Sequence, residues 1–157
     1  MTLGDTESFE AFYGDSEVMA IRKYGVLNAE TARSHVTGMV EHWREHGFGM
    51  WVVEERGGAA FAGECGLRWR EDGIDVELSY GLYPRFRGRG LATEAARAAL
   101  DCGIGVLGLA RIVALSRGDN RISHRVLEKI GMDLEWRSDD GVNGLVRYRY
   151  PPMSEGE

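Results

Sequence analysis

The sequence predicts a mixed α+β fold: one domain, a mixed central sheet and helices on both of its faces. Three observations lead there. The element order is two helices, three hairpin-linked strands, a helix, a strand, a helix and two strands. An alternating strand, with Val76, Leu78, Tyr80 and Leu82 on one side, runs through Gly88 and Gly90 straight into a helix pattern. The 157 residues are 43% hydrophobic and 28% charged, enough to bury one core without a metal or disulfide staple. Residues 1–150 form the predicted domain, and 151–157 (Pro-Pro-Met-Ser-Glu-Gly-Glu) a flexible tail.

Asp5 is placed to cap a short helix carrying Phe9 and Phe12. Asn28 is placed to cap a second, with Ala32, Val36, Met39, Val40 and Trp43 on one face and Gly47 to end it. Phe48 to Glu55 reads as a strand, and Arg56-Gly57-Gly58 as a turn. Phe61, Gly63, Cys65, Leu67 and Trp69 alternate with Ala62, Glu64, Gly66 and Arg68, the pattern of a half-buried strand. After the turn Glu71-Asp72-Gly73, residues 74–83 form the strand that enters the glycine loop.

A helix from about Arg89 to Cys102 follows, with Leu91, Ala95, Ala98, Ala99 and Cys102 as its apolar stripe. Arg111 to Ser116 is a short strand, predicted parallel to 74–83. Asp119 or Asn120 caps a helix bearing Ile122, Val126, Leu127 and Ile130, closed by Gly131. Met132 to Arg137 and Leu145 to Tyr150 are two final strands around the turn Ser138-Asp139-Asp140-Gly141.

The net charge of −6 argues against nucleic acid as a partner and suits a cationic substrate such as an amine. No apolar run has membrane length, and Asp5, Glu7 and Glu10 stand where a leader would be basic, so a soluble cytoplasmic protein, monomer or homodimer, is expected. Cys65 and Cys102 lack metal or redox spacing and read as buried, inert thiols. His35, His42, His46 and His124 form no triad or metal pattern, so no metal is expected and surface or helix-packing roles are.

Glycines at a strand-to-helix junction let a ligand approach the backbone, and the free N–H groups of the helix's first turn then face an anion. Arg85, Arg87 and Arg89 stand beside these glycines in an acidic chain, and a pyrophosphate fits best. A Walker loop is absent. A dinucleotide fingerprint fails because Thr93 stands where the third glycine belongs, and no acid follows near residues 109–111.

Arg85-x-x-Gly88-x-Gly90, extended by Leu91-Ala92-Thr93-Glu94-Ala95, resembles the acyl-CoA signature of the GNAT superfamily of N-acetyltransferases, in its RimJ/RimL-type branch. Asn120-x-x-Ser123-x-x-Val126-Leu127-Glu128-Lys129-x-Gly131 resembles a second segment of that branch. Gly63–Arg68, Glu77–Tyr80 and Gly14–Met19 resemble its earlier elements, in order. The resemblance implies a sheet splayed at the acyl-CoA site, beside residues 80–83, and a first strand that is short or missing here. It implies acetyl transfer from acetyl-CoA to a primary amine, a protein N-terminus or a small molecule, by direct attack in a ternary complex. Leu127 occupies a position where many members carry a tyrosine acid. The alternative is a non-catalytic acyl-CoA-binding or regulatory module.

The implied site is Leu82, Arg85, Arg87, Gly88, Arg89, Gly90, Leu91, Ala92, Thr93 and Asn120 for acetyl-CoA, with Glu77 as base and Ser123 as donor to the departing sulfur. A glutamate paired with Arg68, and a serine bonding its own helix turn, are the competing roles for these two. A backbone N–H near Leu82 would polarise the carbonyl. The acceptor pocket is expected from the first two helices and the last hairpin, with Tyr13, Tyr24, Trp43, Trp69 and Trp136 as candidate linings beside their core roles.

Overall fold

The structure, a computed structural model, describes residues 1–22, 24–58, 60–138, 140 and 144–151. A 3-10 turn over Leu3–Asp5 leads into α1 (Thr6–Gly14), α2 (Ser16–Met19) and α3 (Ala29–His46). Strands β1 (Met50–Glu54), β2 (Phe61–Trp69) and β3 (Val76–Leu82) follow, then α4 (Leu91–Asp101). A π turn over Cys102–Val106 precedes β4 (Ile112–Arg117), α5 (Arg121–Lys129), β5 (Asp133–Arg137) and β6 (Leu145–Tyr150). The six strands form one sheet in the order β1-β2-β3-β4-β6-β5.

Local chemistry fixes several ends as expected. The Asn28 side chain accepts from the Thr31 N–H at 2.8 Å, and Gly47 closes α3 at φ 74°. Asn120, rather than Asp119, caps α5 by accepting from the Ser123 N–H at 3.1 Å. Asp5 does not cap α1. It already lies in helical geometry within the 3-10 turn, so its carboxylate reaches back to the Thr2 N–H at 2.6 Å. No strand precedes α1 among the described residues, and β1 pairs with β2 alone as one margin of the sheet.

The two sheet faces carry separate cores. One buries Cys65, Leu67, Val76 and Leu78 beneath Ala96, Ala99 and Leu100 of α4 and Val126 and Leu127 of α5. The other buries Met50 beneath Phe9, Phe12 and Tyr13 of α1 and Ala32, Val36 and Met39 of α3. Strand β2 is therefore not half-buried: residues 62–67 are all buried, Glu64 included. The α4 stripe is also turned from the expected one. Ala96, Ala99 and Leu100 face inward and Ala98 faces solvent, because an alanine-rich helix carries little pattern to set its phase. Ile122, expected on the buried face of α5, is 65% exposed. Burial pushes the Cys65 thiol up to about 12, whereas Cys102, at the start of the π turn, is half-buried. Of the turn expected at 138–141, Asp139 and Gly141 lie outside the described residues, as does the tail beyond Pro151.

Strands β3 and β4 are parallel, but they share only two pairs, Val76 with Ile112 and Glu77 with Val113. From Leu78 onward they diverge, earlier than the 80–83 expected from sequence. Beside the last paired residues sits Asp75, 4% exposed. Its carboxylate accepts from Arg111 Nε at 2.8 Å and Nη2 at 3.0 Å, and from Arg147 of β6 at 2.5 Å. Chiefly through the Arg111 hydrogen bonds, and against the cost of burial, this carboxyl is held below the usual range.

A lowered folded pKa gives stability that is present above the unfolded value of about 3.9 and lost as pH falls through the folded one. Asp75→Asn is expected to cost ~2–3 kcal/mol at pH 7, less than a fully buried pair because both arginines are partly exposed. Chemical unfolding of both proteins checks this: the difference narrows below about pH 4.

Candidate active site

The divergence of β3 and β4 opens a cavity of about 810 Å³. It is one continuous channel. Gly88, Gly90, Leu91, Ala92 and Thr93 line it beside α4, Leu78 to Leu82 and Ala114 to Arg117 form its walls, and Tyr13, His35, Glu64, Arg68 and Glu77 line it beneath the first helices. Asn120 and Ser123 border it from α5. Of the implied site residues, Leu82, Arg87, the two glycines, Leu91 to Thr93, Asn120, Ser123 and Glu77 thus share one space.

The loop positions backbone donors by handedness. Gly88 and Gly90 stand at φ 73° and 79°, a region open to glycine and strained for other residues. No protein atom lies within 4 Å of a Cβ built at either, so the conformation itself, rather than crowding by the protein, requires glycine. Gly90 caps α4 without a side chain, which leaves the first-turn N–H groups without a side-chain acceptor and lining the channel.

The three loop arginines take other partners. Arg85 is exposed and stacks over Tyr83 at 4.5 Å and Phe86 at 4.9 Å. Arg87 donates from Nε to the Leu82 carbonyl at 3.0 Å and reaches the Glu17 carbonyl at 3.4 Å. Arg89 pairs with Glu55. Only Arg87 of the three lines the channel. Long side chains with several partners in reach are placed by tertiary structure, so sequence proximity to the glycines did not place them there.

Glu77 is 4% exposed and lies opposite Arg68 in the β2–β3 register. Its Oε2 accepts from Arg70 at 3.0 Å, and Arg68 stands at 3.8 Å. Ser123 Oγ lies 2.9 Å from the Tyr80 hydroxyl, which also donates to the Ser123 carbonyl at 3.2 Å. Burial raises the Tyr80 pKa, so its phenol stays protonated at neutral pH. The sequence marks Tyr80 only as an apolar-face residue; the pairing crosses from β3 to α5 and has no local sequence signal.

A second glutamate carries no functional signal in the sequence beyond its place in the β2 alternation. Glu64 is 1% exposed and accepts from Tyr13 at 2.5 Å and from Arg22 at 2.6 Å. Burial first, then the Glu64 charge, pushes the Tyr13 phenol up, so Tyr13 is the donor. Arg22 lies flat on β3: a Cβ at Gly81 would meet its Nη1 at 2.4 Å. That close approach explains Gly81, a glycine inside a strand.

Several expected linings fall elsewhere. Tyr13 and Tyr24 line the channel. Trp43 instead donates to the Met50 carbonyl at 2.8 Å, and Trp69 lines a separate cavity of about 240 Å³ with His42. Trp136 lies half-exposed on β5, and the strands of the last hairpin contribute nothing to the channel among the described residues. Two of the histidines take the expected helix-packing role, with specific hydrogen bonds added. His42 bridges the Phe48 carbonyl and the Trp69 N–H, and buried His124 bonds the Arg117 carbonyl. No group of three or more His, Cys, Asp or Glu is placed to hold a metal among the described residues.

The family model described as "Acetyltransferase (GNAT) domain" matches residues 1–133. The uncharacterized protein YkkB of Bacillus subtilis (strain 168) is 32% identical over 126 residues, covering 79% of this chain and 73% of its own. The uncharacterized N-acetyltransferase YoaA of the same organism is 29% identical over 135 residues, covering 83% and 75%. The acetyltransferase (GNAT family) from Bacillus anthracis superposes with a TM-score of 0.77 at 26% identity, over 95% of this chain and 89% of that one. Two further structures share the fold. Spermidine N-acetyltransferase from Vibrio cholerae, in complex with CoA and spermine, has a TM-score of 0.79 at 16% identity, over 95% and 90%. RimL, a ribosomal L7/L12 alpha-N-protein acetyltransferase in complex with CoA, has 0.78 at 17%, over 95% and 89%.

Glu64→Ala strips the partner from a guanidinium held under α1 and α2. It is expected to destabilise the fold by ~3 kcal/mol, against less than ~1 kcal/mol for a typical exposed pair such as Arg33–Glu10 broken by Glu10→Ala. Thermal or urea unfolding of the two variants gives the comparison.

Proposed function

The chain belongs to the GNAT acetyltransferase family, and from that premise we propose that it transfers the acetyl group of acetyl-CoA to a primary amine by direct attack in a ternary complex, as a member of the RimJ/RimL-type branch. The observation that carries this is the single channel joining the uncapped N–H groups of α4 to Glu77. Of the N–H groups of residues 87–92 that the sequence places at a diphosphate, that of Arg87 is held by the Pro84 carbonyl at 3.0 Å, so the diphosphate sits on those of 88–92, where helix polarity favours an anion. The pantetheine arm runs along the gap between β3 and β4, past Asn120. The thioester then lies near Tyr80 to Leu82, within reach of a backbone N–H for its carbonyl oxygen.

The acceptor enters from the side of α1 and α3. The CoA-bound polyamine enzyme and the N-terminal acetyltransferase of like fold mark two acceptor classes, a small polyamine and a protein N-terminus. An α-amine, with pKa about 8, needs less help to lose its proton than a lysine-type amine at about 10.4. The amine nitrogen attacks the carbonyl carbon, and its proton passes to Glu77 directly or through water. As the C–S bond breaks, Ser123 Oγ–H turns to the sulfur. Tyr80 can then donate to Ser123 Oγ in place of the carbonyl, so the serine oxygen keeps a partner. This arrangement gives the thiolate a donor although position 127 is leucine.

Thiol release from acetyl-CoA with a panel of amines tests the reading. Release with at least one primary amine is expected. Binding of acetyl-CoA without release from any amine would favour the acyl-CoA-binding module, and no binding at millimolar ligand would remove the assignment. Glu77→Gln is expected to lower kcat at least ~10-fold at pH 7, with partial recovery at high pH, where free amine is abundant. Its acetyl-CoA affinity should stay close to wild type. A large fall in that affinity would make Glu77 structural.

A further inference from the structure

We propose that Arg125 and Lys129, one turn apart on α5, form a subsite for the 3′-phosphate of CoA, so that the protein selects CoA over 3′-dephospho-CoA. The inference rests on the acetyl-CoA reading above and deepens it.

The loop arginines are already engaged. Arg85 lies over two rings, Arg87 is held by the Leu82 and Glu17 carbonyls, and Arg89 is paired with Glu55. The backbone N–H groups of α4 suit the diphosphate without them. A phosphomonoester is different: it carries about −1.5 to −2 charge at pH 7 and calls for cations.

Those cations lie on α5. Arg125 and Lys129 both line the channel, and both are exposed. No hydrogen bond or ion pair engages either side chain among the described residues. Ile122, at spacing i, i+3 from Arg125, lines the same channel, so one face of the helix is turned to it. The carboxylate of Glu128, also on α5, instead accepts from Tyr148 at 3.2 Å.

The helix stands where the nucleotide would leave the loop. Arg97 of α4 donates to the carbonyls of Lys129 at 2.6 Å and Ile130 at 3.2 Å, so the C-terminal turn of α5 is tied to the second turn of α4. Unpaired cations one helical turn apart, beside a diphosphate cradle and in a chain of net charge −6, match a second phosphate of the same ligand.

Calorimetric titration of the full chain with CoA and with 3′-dephospho-CoA tests this, in wild type and in Arg125→Gln/Lys129→Gln. Both side chains are exposed, and glutamine removes charge while keeping much of the length. Wild type is expected to bind CoA about 10-fold or more tighter than dephospho-CoA, with the difference shrinking as salt rises. The double variant should lose that preference by weakening toward CoA alone. Equal wild-type affinity for the two ligands, or equal weakening of both in the variant, would overturn the subsite. Wild type binding neither at millimolar concentration would overturn the acetyl-CoA reading itself, and the subsite with it.

Discussion

The ion cluster around Asp75 holds the point from which the site opens. Two parallel pairs are a slender join between β3 and β4, and the strands on either side of it belong to antiparallel runs. Arg111 ties Asp75 to the start of β4, and Arg147 ties it to β6, so three strands meet at one buried carboxylate. Beyond that point the strands separate, and backbone groups that would have paired face the channel instead. The open end is bridged differently. Arg87 donates to the Glu17 carbonyl on α2, and Arg117 donates to the Ala20 carbonyl just after it, at 2.9 Å. A short helix thus spans the gap between the two strands. The channel has an ion cluster at its closed end and two arginine-to-carbonyl contacts across its open end.

The sheet face under α1 to α3 carries two buried glutamates with different environments. Glu64 is held between a tyrosine and an arginine from the first helical segment, which anchors those helices on the sheet. Glu77 is held from its own hairpin by Arg70, beside the point where the strands part. Burial of a carboxylate is tolerated only with such partners. Both glutamates border the channel. The partners of Glu64 come from the first helical segment and tie it to the sheet, whereas Arg70 and Arg68 reach Glu77 from the β2–β3 hairpin.

Signals confined to a few residues were legible in the sequence. The Asn28 and Asn120 caps, the Gly47 stop, the span of β6 and the parallel relation of β3 to β4 follow from local chemistry or connection length. The loop glycines were legible for the same reason, since positive φ is a local demand. What failed was set by distant neighbours. Strand β2 alternates as though one face met water, yet α1 and α3 cover the Glu64 face. Alanines gave α4 no single phase. Arg22 sits in a segment with no motif, and its place on Gly81 exists only in the assembled fold. Arg68 beside Glu77 was legible from the strand register, but most partners of the long arginine side chains were not, because a guanidinium some six bonds from the backbone samples acceptors from several elements.

The loop separates what backbone conformation does from what side-chain charge does. Gly88 and Gly90 are open to solvent, without neighbours that a side chain would strike, so their identity answers to dihedral angle. Gly90 also leaves the first turn of α4 without a side-chain cap, and that turn borders the channel. The arginines beside them serve the loop's own shape: Arg87 caps the carbonyl that ends β3, and Arg89 ties the loop to Glu55, just past β1. For the diphosphate proposed above, a backbone held in place by such contacts would need little ordering, whereas free arginines would have to be immobilised. Sequence proximity places the positive charges at the loop, and the geometry gives each of them a partner in or beside it.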